Sequence, residues 1–315
     1  MTVYKPEGQL IDTPENRESL KSLQGLKEAM LTGRILEARA TVCDSEHNLI
    51  VDLGGIRGVI PHNEGALGIA EGTTRDIAII SRVNKPVCFR ILSITCEPGQ
   101  EPMICLSRRA VQKECMERYI QTLSPGDIIP ARITHLEPFG CFVDIGCGVA
   151  SLIPIDSISV SRISHPQDRF NINQDIYAVV KGIDEDGRVS LTHKELLGTW
   201  EENAALFASG ETVAGIIRSV EEYGVFVELT PNLAGLAEPR FDVKPGQHAS
   251  VYIKSLIPEK MKVKLIIVDA FDAAYPAQLH KYFVTGAHIS RWQYSPPASP
   301  KKIETVFDED SPDLH

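Results

Sequence analysis

From Gly33 onward the chain is built largely of short stretches in which apolar and polar side chains alternate. That period of two marks strands with one buried face. In "CFVDI" the residues Cys141, Val143 and Ile145 share one face and Phe142 and Asp144 the other. Downstream, "GVFVEL" puts Val225, Val227 and Leu229 opposite Phe226 and Glu228, and "KMKVKL" alternates Lys260, Lys262 and Lys264 with Met261, Val263 and Leu265. The run "IYAVVKGIDEDGRVSLTHK" predicts a hairpin turning at Asp186 and Gly187. Helical spacing is confined to the segments between these blocks. Thr13 and Pro14 form a cap and first-turn pair leading into Leu20, Leu23 and Met30. Val111, Cys115, Tyr119 and Leu123 recur every fourth residue, as do Leu196, Trp200 and Ala204, with Phe207 following. The pattern therefore predicts a mostly β chain with linking helices whose apolar stripes pack on the β units.

The β blocks repeat. "GDIIPARITHLEPFGCFVDIG" from Gly126 aligns without a gap on "GETVAGIIRSVEEYGVFVELT" from Gly210, which sets Phe139 on Tyr223, Gly140 on Gly224 and Phe142 on Phe226. A weaker copy begins at Gly33, where "NLIVDLGG" falls on "GCFVDIGC" and "GVIP" on "SLIP"; there His47 and Ile50 replace the two aromatics. Short strands with turn punctuation in three such units suggest small five-stranded Greek-key barrels of the OB type.

Two aromatics per unit need a surface. Phe142 lies on the face opposite the apolar trio, beside Asp144, where a large ring calls for a neighbouring element or a ligand to cover it. Phe139 is three residues earlier, and regular strand parity sends it to the other face. For both rings to share one surface the chain must bulge or bend, with Gly140 the expected place.

Composition narrows the classes. The 315 residues carry a net charge of -10, which argues against coating a polyanion by bulk attraction but permits local basic faces. Neither a signal peptide nor an apolar run long enough to cross a bilayer is visible, so a cytoplasmic protein without a membrane partner is expected. The seven cysteines contain no C-x-x-C pair and read as small buried thiols. Walker, H-E-x-x-H, nucleophile-elbow and dinucleotide motifs are missing. Asp52, Asp144 and Glu228 occupy equivalent strand positions in separate units and read as strand-face residues rather than an acid/base pair. No second histidine or carboxylate cluster stands at metal spacing from His47. No enzyme activity, metal, cofactor or small-molecule substrate is expected. The end, "FDEDSPDLH", reads as a solvated acidic tail, and "ISRWQYSPPASP" before it is either a short binding motif or an ordered flap, its composition favouring disorder.

The combination of F/Y-G-x-F-V, then "SLIPIDSISVSRISHPQDRF", then "GIDEDGRVSLTHKE" resembles the S1 RNA-binding domain, named after the largest small-subunit ribosomal protein of bacteria. The resemblance is close over 126–194, shortened over 210–269 and degenerate over 33–109. It implies a tandem array of three S1-type OB-fold barrels: an N-terminal amphipathic helix (1–32), a degenerate barrel (33–109), a linker helix (110–125), a full barrel (126–194), a second linker helix (195–209), a shortened barrel (210–269) and a C-terminal tail (270–315).

In that family the RNA face is formed by two aromatics, a histidine on the third strand, and an aspartate and arginine bracketing the last hairpin. The resemblance places Phe139, Phe142, Asp184 and Arg188 there in the second unit, and Tyr223 and Phe226 in the third. Pro61, Pro154 and Glu238 stand where the histidine is expected. In the third unit Lys262 replaces Arg188 and Pro258 replaces Asp184, and Lys260, Lys262 and Lys264 supply a basic strand face for phosphates. Arg162, His165 and Arg169 in "SRISHPQDR" could add a phosphate-contacting loop. In the first unit His47, Ile50, Thr95 and Met103 strip the face, so residues 1–109 are expected to dock on a protein, the small ribosomal subunit. The implied function is binding of single-stranded messenger RNA in support of translation initiation. Two other readings stay open: an RNA-binding regulator or decay factor away from the ribosome, and a protein-interaction scaffold whose aromatics pack between barrels.

Overall fold

The computed structural model describes residues 4–273 and 281–308. Most of the acidic end, 309–315, lies outside the described residues. Contacts divide the chain into two units. The first takes everything up to Leu123 with Pro130–Arg132 and Asp144–Ala150, and the second takes the remainder.

Three closed five-stranded barrels carry the fold. The first is built from β1 (Leu36–Cys43), β2 (Leu49–Asp52), β3 (Arg57–Ile60), β4 (Pro86–Thr95) and β5 (Met103–Ser107). The second comprises β6 (Ile128–Glu137), β7 (Gly140–Asp144), β8 (Ala150–Pro154), β9 (Asp175–Ile183) and β10 (Val189–Thr192), and the third β11 (Thr212–Glu221), β12 (Gly224–Thr230), β13 (Leu233–Ala237), β14 (His248–Ile257) and β15 (Lys262–Phe271). Each closes through one parallel pairing, between the third and fifth strands of its own barrel. The alternation seen in the sequence is what fills the barrels: Cys141 and Val143, Val225 and Val227, and Val263 and Leu265 all point inward and are buried. Each of these valines and the leucine contributes roughly 1.5 to 3 kcal/mol.

In the first unit α1 (Pro14–Leu20) starts at Thr13, whose hydroxyl accepts from Asn16 N, with Pro14 at the first helical position. The following α2 (Leu23–Thr32) buries Leu26 and Ala29 against Leu36, Leu49, Phe89 and Ile104 of the first barrel. A short α3 (Ile77–Ile80) lies in the long connection between β3 and β4. After β5 the chain runs directly into α4 (Arg108–Arg118), capped by Ser107, with Val111 and Cys115 fully buried as their spacing predicts. Arg108, only 3% exposed, pairs with the equally buried Glu7 at 2.6 Å and 2.9 Å.

In the second unit the expected single helix over 195–209 is instead a 3-10 turn (Lys194–Leu197) and a five-residue α5 (Trp200–Ala204). The break is at Gly198, which adopts φ +84°, and at Thr199, which starts α5 afresh with a capping box to Glu202. The preference for disorder in "ISRWQYSPPASP" also fails. The segment is an ordered flap closed by β16 (Arg291–Gln293) and β17 (Glu304–Val306). Trp292 and Tyr294 are buried, Tyr294 Oη donates to Asn232 O at 2.6 Å, and Trp200 N donates to Tyr294 O at 3.0 Å. Burial of two large aromatics on the third barrel's core outweighs the conformational entropy that the prolines and polar residues leave unspent.

Candidate nucleic-acid interface

The aromatic pair forms at the first hairpin of each of the last two barrels. In the third barrel Glu221 pairs with Gly224, so Glu222 and Tyr223 are the two turn residues. Pro138 and Phe139 occupy the same turn in the second. The aromatic before the glycine is thus off the strand, and strand parity does not apply to it. The anticipated bulge at Gly140 is unnecessary, because the turn itself swings Phe139 to the side of Phe142. The result is twice the same: Phe139 and Phe142 meet edge to face with centroids 6.0 Å apart, and Tyr223 and Phe226 do so at 6.1 Å. The turn ring is the open one, 55% exposed for Phe139 and 66% for Tyr223, while its partner is half-buried.

Glycine is required between the rings by close approach. A Cβ at Gly140 would collide with the carbonyl oxygen of Ile153, and one at Gly224 would come to 2.5 Å from that of Ala237. Gly140→Ala is therefore expected to destabilise the protein by about 1 to 3 kcal/mol, read as a lower urea midpoint, and to displace Phe139.

In the third barrel the strand register extends the aromatic surface into a row. Ser219 lies opposite Phe226, Phe226 opposite Leu236, and Leu236 opposite Lys264. Two strand spacings of about 4.8 Å separate the Phe226 and Lys264 backbones, so ring and ammonium share one outer surface. Lys260, Lys262 and Lys264 are all exposed, with Val263 and Leu265 buried beneath them. The sequence missed two contributors: Leu236, 37% exposed between ring and lysine, and Lys254, exposed where the register shifts between Ile253 and Ser255. Cross-strand register alone reveals them.

The second barrel's hairpin is organised differently. Asp184 Oδ1 accepts from Arg188 N at 2.8 Å, so this carboxylate shapes the turn, while the exposed Arg188 guanidinium lies 3.4 Å from the exposed Asp186. Thr192, at the end of β10, does not extend this surface: it is buried, its hydroxyl donating to Ser157 O at 3.1 Å and to Glu195 Oε2 at 2.6 Å.

Of the loop residues, Arg162 is exposed, but His165 caps the short 3-10 turn Pro166–Asp168 through Nδ1. Arg169 is not available to a phosphate. It is 4% exposed and is ion-paired with Glu228, which also holds Arg218 at 2.8 Å. Burial lowers the Arg169 pKa, opposed by Glu228.

The three equivalent carboxylates prove to do three separate jobs. Asp52 caps Gly55 N, Glu228 anchors two arginines, and Asp144, buried rather than on an open face, accepts from Gly146 N, Gly148 N and Glu7 N. Burial and the neighbouring Glu7 carboxylate push Asp144 up to about 7. In the first barrel Met103 and Thr95 are exposed and no aromatic pair forms, but His47 is not isolated: His62 and Asp76 stand beside it. Residues 15 and 29 positions away in sequence carry no spacing signal.

On each of two barrels an open turn ring is backed by a half-buried one, and one pair is bordered by lysines, an arrangement suited to flat, anionic polymers. Residues 122–194 match the S1 RNA binding domain family. The second barrel is thus an S1 domain, set in series between two further closed five-stranded barrels, and the chain is similar in sequence to the bacterial ribosomal protein bS1. It is 30% identical over 267 residues to small ribosomal subunit protein bS1 of Staphylococcus aureus (strain COL), covering 79% of this chain and 65% of that protein. It is 31% identical over 225 residues to bS1 of Leuconostoc lactis, covering 69% and 50%. The chain thus spans under two thirds of the length of these relatives. Among solved structures, a multidomain protein with nucleic acid binding domains from Streptococcus pneumoniae aligns over 75% of this chain and 73% of its own, at 14% identity and a TM-score of 0.25. Among the described residues no helix is long and apolar enough to cross a membrane.

Proposed function

We propose that this protein binds single-stranded messenger RNA in the cytoplasm through its second and third barrels and supports translation initiation at the small ribosomal subunit. The observation that carries the reading is the repeated edge-to-face pair whose outer ring is left open to solvent. Bases stack on Phe139, Phe142, Tyr223 and Phe226. Arg188, Lys260, Lys262 and Lys264 contact phosphates, and Asp184 keeps the Arg188 hairpin in shape. Residues 1–109, whose barrel lacks the rings, dock on the ribosome. Binding needs no chemistry, so the protein acts as a holder of RNA rather than an enzyme.

Co-sedimentation tests the ribosomal part. The intact protein is expected to pellet with small subunits and to retain a labelled unstructured RNA there. RNA binding without co-sedimentation would make it a regulator or decay factor, and failure to bind RNA at all would leave a protein-interaction scaffold.

A further inference from the structure

Where the later barrels present two aromatic rings, the first presents two imidazoles and a carboxylate. His47 and His62 lie with ring centroids 5.8 Å apart, and Asp76 sits between them: its Oδ1 is 2.7 Å from His62 Nε2 and its Oδ2 3.4 Å from His47 Nδ1. One donor atom from each of the three lies within 4.8 Å of the others.

The backbone around this cluster holds the side chains in place. Asp44 accepts from Glu46 N and Asn48 N and so fixes the turn between β1 and β2. The Asn48 side chain then links that turn to the next connection, accepting from His62 N at 2.9 Å. His47 adopts φ +62°, a left-handed conformation that histidine, with asparagine and aspartate, tolerates better than most side chains. Asp76 stands at the start of α3, yet its side chain makes no capping hydrogen bond. Its carboxylate is turned to the imidazoles instead.

We infer that His47, His62 and Asp76 form a binding site for a divalent transition-metal ion of the zinc class. Two imidazole nitrogens and one carboxylate oxygen are a borderline-soft donor set that suits zinc over magnesium or calcium. Donor atoms around a tetrahedral zinc lie about 3.4 Å apart; His47 Nδ1 already stands 3.4 Å from Asp76 Oδ2, and His62 Nε2, 2.7 Å from Oδ1, has to open by about 0.7 Å. All three side chains are 40% to 46% exposed, so an ion can enter and a fourth position is left to water or a partner's donor. The site lies in the part of the chain that the proposed function assigns to docking, but it does not depend on that assignment.

The test is titration of the untagged, chelator-treated full chain with zinc chloride and, for spectroscopy, cobalt(II). One equivalent should bind saturably, more tightly at pH 7.5 than at 5.5 because the imidazoles must be unprotonated, and magnesium should not compete. His62→Gln and Asp76→Asn should each weaken binding at least about tenfold while RNA binding is unchanged. Independently of any variant, cobalt should shift the ring-proton resonances of His47 and His62. Failure to saturate, cobalt shifts elsewhere, or binding that persists in both variants and disappears on thiol alkylation would overturn the assignment.

Discussion

Replacing Glu7 by leucine is expected to destabilise the protein by about 3 to 5 kcal/mol, because it leaves a buried guanidinium without its counter-charge. Glu7 accepts from Arg108 Nε and Nη2, from Arg82 Nη1 at 3.2 Å and from Cys88 N at 3.2 Å, so one substitution orphans several donors. Among the described residues Arg108 then keeps a 3.3 Å hydrogen bond from Nη1 to Gly65 O. Glu7→Leu combined with Arg108→Met should recover much of the loss, since a buried pair exchanged for apolar side chains of similar size is often neutral. Urea unfolding of the full chain, followed for each transition rather than as one two-state event, measures both. The pH dependence has a defined sign. Burial raises the Glu7 pKa, but Arg108 outweighs it and the net shift is downward. The stabilisation from Glu7 is therefore present above the ordinary glutamate pKa and is lost as the pH falls through its lowered value. Glu7→Leu should lack this component of acid sensitivity.

The second large effect concerns function. Removing Phe139 and Phe142 together is expected to cost RNA affinity by about 1 to 3 kcal/mol for each stacked base lost, with a further loss of the same kind when Tyr223 and Phe226 are also replaced by alanine. The dependence of affinity on salt should keep its slope, because the rings release no counter-ions. Lys260→Ala, Lys262→Ala and Lys264→Ala in combination should instead reduce that slope. Phe139 and Tyr223 are the safer positions structurally, being turn residues that are mostly exposed. Fluorescence anisotropy with a labelled unstructured oligonucleotide across a salt series separates the two kinds of contribution.

The strands, the three repeats and the inward face of each strand were legible because alternation with period two is a direct imprint of a barrel wall. Gly140 and Gly224 were legible as special, though for a reason other than the one inferred. They permit close approach of the next strand, and it is the turn before them that redirects Phe139 and Tyr223. Misreadings cluster where tertiary partners override a local pattern. Arg169 is basic and lies in a loop, but Glu228, 59 positions away, draws it inward. Thr192 is buried although it alternates with the inward Leu191, because Ser157 and Glu195 cover it and accept from its hydroxyl. The flap at Trp292 looks disordered by composition, yet it is pinned by Asn232 and the third barrel's core. The His47, His62 and Asp76 cluster was invisible because barrel closure and a long connection, not sequence proximity, bring its members together.

Ultraviolet cross-linking of the intact protein to an unstructured RNA, with the linked peptides sequenced, tests the central claim most directly. Attachment is expected at the first hairpins of the second and third barrels, on peptides containing Phe139 and Phe142 and Tyr223 and Phe226, with the lysine strand β15 as the secondary site. Cross-links confined to the first barrel or to the flap at Trp292, with both hairpins unmodified, would contradict it.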